Sequence, residues 1–388
     1  MTSRERVARA MRHQPVDRVP VMCQLALGHY FLNAGLAPHR IWFTSEGFAE
    51  ALVALQKRYR FDGILINMPG RPANVLDDVR VETTMDGERL TWRDGGVTFV
   101  PRDDSPQHFP ATRANFETID PDNLDGIGDL PGYVWNTYHI PRLAETRGVL
   151  REIPDYFFRT IDLVKRAVGD TVSIHGEVFS PFTQYMELFG YEQALLSLVS
   201  DAGKARALLD RLTDASIAWA VAQARRGVDA VLISSAFAGG SFISRAMYRE
   251  FVLPYERRVV ETLHPERSAA ESKEPSQGCG VPVYTHTCGR IGDRLELMAA
   301  TGTQGIDTLD PPPLGDVELA EAKRRIGDKL FIKGNMNSVA LLAYTTKEQV
   351  IAEASERIRV GKVGGGYILS TACSVAPRVE PWKLELLV

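Results

Sequence analysis

Cysteine is scarce in this sequence, with four residues among 388. A disulfide-stapled scaffold is thereby excluded, since so long a chain can bury enough apolar surface without cross-links. No run of eighteen or more apolar residues occurs, which argues against a helix that spans a bilayer. The opening MTSRERVARAMRHQPVDRVPV lacks the apolar stretch and small-residue cleavage site of a signal peptide, and a cytoplasmic location is expected. An excess of one charge is also missing, because 45 basic and 49 acidic residues leave a formal net charge of -4. Long basic stripes with interleaved aromatics do not appear, so neither nucleic acid nor membrane is an expected partner. Finally, no Gly-x-Gly-x-x-Gly turn follows the first apolar segment, which weakens a dinucleotide-binding open sheet.

What is present is a soluble composition, 44% hydrophobic and 24% charged, and a repeated pattern. Eight short apolar, β-branched segments recur, at 18–27, 62–69, 171–179, 228–236, 281–288, 305–310, 329–335 and 366–374. Between them lie amphipathic stretches such as ALLSLVSDAGKARALLDRLTDASIAWAVAQARRG and TTKEQVIAEASERIRVG, in which apolar residues return at three and four and a glycine closes the end. Strands alternating with helices imply parallel strands joined by crossovers. Eight such units predict an α/β fold, a (β/α)8 TIM barrel, over residues 1–388 as one domain.

Two stretches depart from the pattern. Residues 79–103 carry DG and GG turns between β-formers and predict one or two hairpins decorating the barrel. Residues 264–278, HPERSAAESKEPSQG, are polar and poor in large apolar side chains, as in an exposed insertion. Cys279 at its edge is expected to be a structural or surface thiol, and Cys23, inside the first apolar segment, a small core side chain.

The chemistry-bearing residues collect at the carboxyl ends of the segments, where a barrel of this type places its active site. VPVYTHTCGR, residues 281–290, ends in His286 and Cys288. Side chains two apart on a strand share a face, so the imidazole and the thiol are either a ligand pair or a core filler and a loop residue. Cys373 ends the last segment, YILSTACS. Together the three form a soft N/S set that suits zinc and leaves one position open, as catalytic zinc requires. Glu177 ends SIHGEVF and is the best candidate for a fourth ligand or a base, although a polar rim residue would look the same. His175 shares its face and reads equally as a satisfied interior histidine. Asp307, Asp310 and Asn335 also end segments, and could contact polar substrate groups or simply start loops. Phe179, Phe182, Tyr185 and Phe237 would fit an aromatic ligand or ordinary packing. The remaining histidines, at 13, 29, 39, 108, 139 and 264, show no ligand spacing.

The opening TSRERVARAMRHQPVDRVPV, together with GEVFSPFTQYMELFGYEQALL, AQARRGVDAVLIS, SRAMYREFVLPYERRVV and KLFIKGNMNSVALL, resembles the uroporphyrinogen decarboxylase superfamily, whose fold is a (β/α)8 barrel. The resemblance spans nearly the whole chain apart from the hairpins and the 264–278 insertion. Decarboxylases of the superfamily carry an Arg-rich RQAGRY-type loop after the first strand and a catalytic aspartate after the second. Here those regions read MCQLALGHYFLNAG and ILINMPGRP. The first has no arginine, and Asn67 with Met68 and Pro69 stands near the aspartate position. An octacarboxylate needs several cationic partners, so this departure removes the means of holding one.

The pattern is closer to the zinc-dependent corrinoid methyltransferase branch, similar to methylcobamide:coenzyme M methyltransferases and the methyltransferase components of O-demethylase systems. HTC at 286–288 and ACSVAPR at 372–378 match that branch's His-x-Cys and late Cys before Ala-Pro-Arg. The resemblance implies His286, Cys288 and Cys373 as zinc ligands, and methyl transfer between a corrinoid and a small thiol or methoxylated compound. Within that reading Glu177 and Asp307 are the expected catalytic residues, and His175, Asn67, Asn335 and Tyr185 the expected substrate contacts. No DxHxxG-type cobalamin motif occurs, so the cobalamin is expected to arrive on a separate corrinoid protein. The alternatives are a porphyrinogen decarboxylase with a different pocket, and a noncatalytic zinc- or corrinoid-binding barrel.

Overall fold

The computed structural model describes residues 1–77, 79–109, 111, 114–122, 153, 155–264 and 280–388. Its strands are β1 (Gly63–Ile66), β2 (Val79–Thr83), β3 (Gly87–Trp92), β4 (Val97–Pro101), β5 (Gln107–Phe109), β6 (Ser173–Phe179), β7 (Ala230–Ser234), β8 (Val283–Thr287), β9 (Gly305–Thr308), β10 (Phe331–Met336) and β11 (Tyr367–Thr371). Seven of them pair side by side in the order β1-β6-β7-β8-β9-β10-β11, every pair parallel. Spatial order follows chain order because each strand is joined to the next by a helical crossover, the arrangement that the alternating sequence pattern predicts.

The first expected strand does not form as a regular element. Residues 20–25 make only single parallel bridges, Val21 with Leu369 and Leu25 with Val375. The reason is local. Pro20 has no N–H to donate, and the Val21 N–H is taken by the Asp62 carboxylate at 2.8 Å. The segment still reaches both edges of the sheet. Leu369 N donates to Pro20 O, Met22 N to Leu369 O, and Asp62 N to Val21 O, at 2.8–2.9 Å. The result is a curled, barrel-like parallel sheet of seven strands.

Inner and outer faces have separate cores. Outward residues pack against the helices in one large apolar cluster. Inward, Met22, Leu65, Ala230, Leu232, Tyr284, Phe331 and Ile368 pack on Val7, Ala10 and Met11 of the helix Ser3–Met11. That helix starts at a capping box between Thr2 and Glu5 and is fastened by Arg6, which with Arg18 donates to the buried Asp62 carboxylate at 2.6 and 2.7 Å. Gly305 makes room for the layer, since a Cβ there would lie 2.4 Å from the Phe331 ring. With its amino-terminal end filled this way, chemistry is left to the other end.

The hairpin stretch forms a four-stranded antiparallel meander, β2-β3-β4-β5, reaching to Phe109. The long amphipathic stretch is divided between Pro181–Ser200, which is kinked at Gly190 (φ 72°, ψ 167°), and Ala202–Arg225, with a break where Asp201 accepts Lys204 N as a cap. Apart from His264, the 264–278 insertion lies outside the described residues, as do Cys279 and His139. Among the described residues no helix is long and apolar enough to cross a membrane.

Candidate metal centre

Parallel register places three polar residues in one row. His286 on β8 is the partner of Asp307 on β9, and Asp307 is the partner of Lys333 on β10. Neighbouring strands lie about 4.8 Å apart, so inward side chains of one row meet. Lys333 Nζ donates to Asp307 Oδ1 at 2.9 Å, and Asp307 Oδ2 lies 3.3 Å from His286 Nδ1. The Thr308 hydroxyl is 2.8 Å from the same nitrogen. Thr308 holds φ at 93°, a region that β-branched residues avoid at a cost of about 1–3 kcal/mol, and it does so beside the histidine.

The other imidazole nitrogen faces the thiols. His286 Nε2 is 3.2 Å from Cys288 Sγ, and Cys288 Sγ is 3.7 Å from Cys373 Sγ. The three donor atoms all lie within 4.8 Å of one another. Tetrahedral zinc with Zn–S of about 2.3 Å and Zn–N of about 2.05 Å requires S···S near 3.8 Å and S···N near 3.6 Å. The S···S spacing matches that of a zinc-sized ion, and Nε2···Sγ lies about 0.4 Å inside the tetrahedral value, so three soft donors are gathered where such an ion would be held. Both cysteines sit just beyond strand ends. Gly289, at φ 75°, turns the chain after Cys288, and its N–H donates to Asp310 Oδ2 at 2.7 Å. Cys373 N donates to Ser338 Oγ at 3.1 Å.

Electrostatics follow from burial and these contacts. Burial opposes the His286 imidazolium, but Asp307 and Cys373 outweigh it and lift the ring to about 10. Cys373 is held well below an ordinary thiol, first by the hydrogen bond from Cys288 and then by His286. Burial would raise Asp307, yet the Lys333 ammonium and His286 keep it below its usual value. Glu177, 5% exposed, is pushed up to about 7 by burial against the opposing pull of His286 and Ser234. Its Oε2 has no hydrogen-bond partner among the described residues. Burial likewise carries Asp310 to about 6.

Of the residues singled out from sequence, His286, Cys288, Cys373 and Asp307 converge, and Glu177 on β6 is buried within electrostatic reach of His286, Asp307 and Lys333. His175 sits one layer deeper, its ring between Tyr284 OH at 2.8 Å and Ser173 Oγ at 3.1 Å, and burial lowers it to about 4. Asn335 is fully buried, with Nδ2 donating to Leu309 O at 2.8 Å. Asn67 is half-buried just past β1. Tyr185 is not brought to the cluster. It lies in the helix Pro181–Ser200, bonded to Ser197 and packed on Phe116 and Phe189. Phe182 is also fully buried. Sequence reading passed over Lys333 and Thr308. The available signal was a lysine two positions before Asn335 inside an apolar strand, where alternation turns it inward.

Comparison with known proteins agrees with this architecture. The chain is 25% identical over 389 aligned positions to the methylcobamide:CoM methyltransferase MtbA of Methanosarcina acetivorans, covering 100% of this chain and 96% of that protein. It is 26% identical to the uroporphyrinogen decarboxylase of Alkalilimnicola ehrlichii, covering 97% and 90%. Among solved structures, a methyltransferase from Methanosarcina mazei superposes with a TM-score of 0.69 at 19% identity, over 100% of this chain and 97% of the other, and so shares the fold. The family model described as uroporphyrinogen decarboxylase (URO-D) matches residues 135–388, more than half of the sequence. The chain belongs to the uroporphyrinogen decarboxylase (URO-D) family.

Proposed function

We propose that this protein is a zinc-dependent methyltransferase that moves a methyl group between a protein-bound corrinoid and a small thiol or methoxylated compound. The observation that carries the reading is the convergence of His286 Nε2, Cys288 Sγ and Cys373 Sγ within 4.8 Å, with a sulfur–sulfur distance close to that around a tetrahedral zinc. The similarity to the methylcobamide:CoM methyltransferase over the full chain supports the same reaction class.

Zinc bound there would act as a Lewis acid, lowering the pKa of an acceptor thiol from about 8.5 or drawing charge from an ether oxygen. The chain's own residues do the rest. Asp307 and Thr308 fix the Nδ1 side of His286, so that Nε2 faces the thiols. Glu177, with a carboxyl near 7 and a free Oε2, is suited to take the proton of an entering thiol or to return one to a departing oxygen. Asn335 Oδ1 is another buried acceptor without a partner among the described residues and would receive a hydrogen bond from substrate. Burial of the row keeps water away from the transfer.

The test is methyl transfer by the zinc-loaded protein, from methylcobalamin to a panel of small thiols and from methoxyaromatics to cob(I)alamin. Turnover in either panel is expected, and inertness in both would sink the proposal. The decarboxylase reading draws on the 26% identity to a uroporphyrinogen decarboxylase. Against it, Lys333 on the inward row is paired with Asp307 at 2.9 Å. Release of carbon dioxide from uroporphyrinogen by chelated protein would favour it, whereas retained zinc without any turnover would point to a binding barrel.

A further inference from the structure

We infer that Lys333 is a positioning residue for the metal centre, acting through Asp307 on the His286 ligand and on the charge balance of the site. The inference rests on the zinc reading above. Lys333 is 1% exposed and Asp307 2% exposed, so neither charge is solvated by bulk water. A buried ammonium is costly unless paired, and here it donates to the Oδ1 atom of Asp307 at 2.9 Å.

Geometry shows what that pairing does. Tied at Oδ1, the carboxylate presents Oδ2 to His286 Nδ1 at 3.3 Å, beside the Thr308 hydroxyl at 2.8 Å from the same nitrogen. A Nδ1–H that donates outward leaves Nε2 as a lone-pair donor, and Nε2 is the nitrogen 3.2 Å from Cys288 Sγ. The three residues occupy one register row across three adjacent strands, so the alignment is built into the sheet rather than into a loop. The sequence of links is therefore rigid from ammonium to ligand nitrogen.

Charge counting gives a second reason. Two thiolates and the Asp307 carboxylate gather three negative charges around the site, with the Asp310 carboxyl beside them. A divalent ion would offset two of these, and Lys333 offsets one more. Without the lysine the loaded centre would be more negative, which would weaken the pull of the ion on a bound sulfur or oxygen. Lys333 thus limits the negative charge that the ion must face.

The probe is cobalt(II), whose visible absorption reports the ligand field directly. Lys333→Met and the double variant Lys333→Met/Asp307→Asn, which removes both buried charges, are compared with wild type in chelator competition and by spectrum. Far-UV circular dichroism establishes that each is folded. The expected result is cobalt(II) affinity about 10- to 100-fold lower in the single variant, a shifted d–d envelope, and a double variant weakened to a similar degree because the two residues act as one unit. If Lys333→Met does not fold, Lys333→Gln, which keeps a hydrogen-bond donor toward Asp307 but removes the charge, is measured in its place, with the same expected loss and the same overturning result. Wild-type affinity and an unshifted spectrum in a folded variant would overturn the role of Lys333 while leaving methyl transfer intact. A wild-type protein that takes up no cobalt(II) would instead overturn the zinc reading, and this inference with it.

Discussion

The sulfurs of Cys288 and Cys373 lie 3.7 Å apart although 85 residues separate them along the chain. Two strand ends, β8 and β11, bring them together, with β9 and β10 between. Cys373→Ser is expected to lower zinc affinity by more than the roughly 100-fold that loss of an outer-shell partner costs, and to abolish methyl transfer. Zinc content after dialysis against a chelator, together with the thiol and methoxyarene assays, measures this. A variant that keeps stoichiometric zinc would show that the cluster is not the metal centre.

Glu177 is buried, and its Oε2 has no hydrogen-bond partner among the described residues. Glu177→Gln preserves shape and removes the ionisable group, while His286, Cys288 and Cys373 remain. Zinc should be retained and kcat for methyl transfer should fall about 100-fold or more, the usual worth of a positioned acid or base. An unchanged kcat would reduce Glu177 to a polar residue of the inner wall.

Gly305 faces the Phe331 ring, where a Cβ would sit 2.4 Å from the nearest ring atom. Gly305→Ala is expected to destabilise the protein by about 1–3 kcal/mol through overpacking. Adding Phe331→Leu should recover part of that loss in a double-mutant cycle of urea midpoints, because the two residues share the same space. Strictly additive losses would contradict the packing described for the inner layer.

Burial pushes His29 and His175 down to about 4 and His108 to about 3. These groups are neutral in the folded protein and would charge on unfolding below about 6.5. Their folded values are depressed, so the stability they contribute is present above about 6.5 and is lost as pH falls toward 4 and then 3. Each pH unit within that window is worth about 1.4 kcal/mol per group. Glu177 and Asp310, raised by burial, act in the opposite sense over part of that window, so the histidine contribution is read from a variant: His108→Gln should lose less stability than wild type, by urea midpoint, as pH falls below 6.5. A slope that His108→Gln leaves unaltered would contradict the burial of that ring.

Much of the architecture was legible because it repeats. The hydrophobic alternation located β6 to β11, and the DG and GG turns located the meander. The eighth strand was overestimated because an apolar segment looks the same whether its N–H groups enter a ladder or, as at Val21, bond to a side chain such as Asp62. The break at Asp201 was hidden in continuous helical periodicity, since a single cap residue carries no periodic signal.

By itself, the sequence determined the parallel α/β pattern and the residue types at the strand ends, because periods of two and of about three and a half residues are properties of the chain alone. His286 and Cys288 could be set on one side from their spacing. Only the tertiary structure decided that Cys373 closes on them, that Tyr185 turns away into the helical layer, and that Lys333 meets Asp307. Those outcomes depend on which strands become neighbours and in what register. Pairing of that kind is fixed by the closing of the sheet around its inner layer, a long-range packing event that no local stretch of residues encodes.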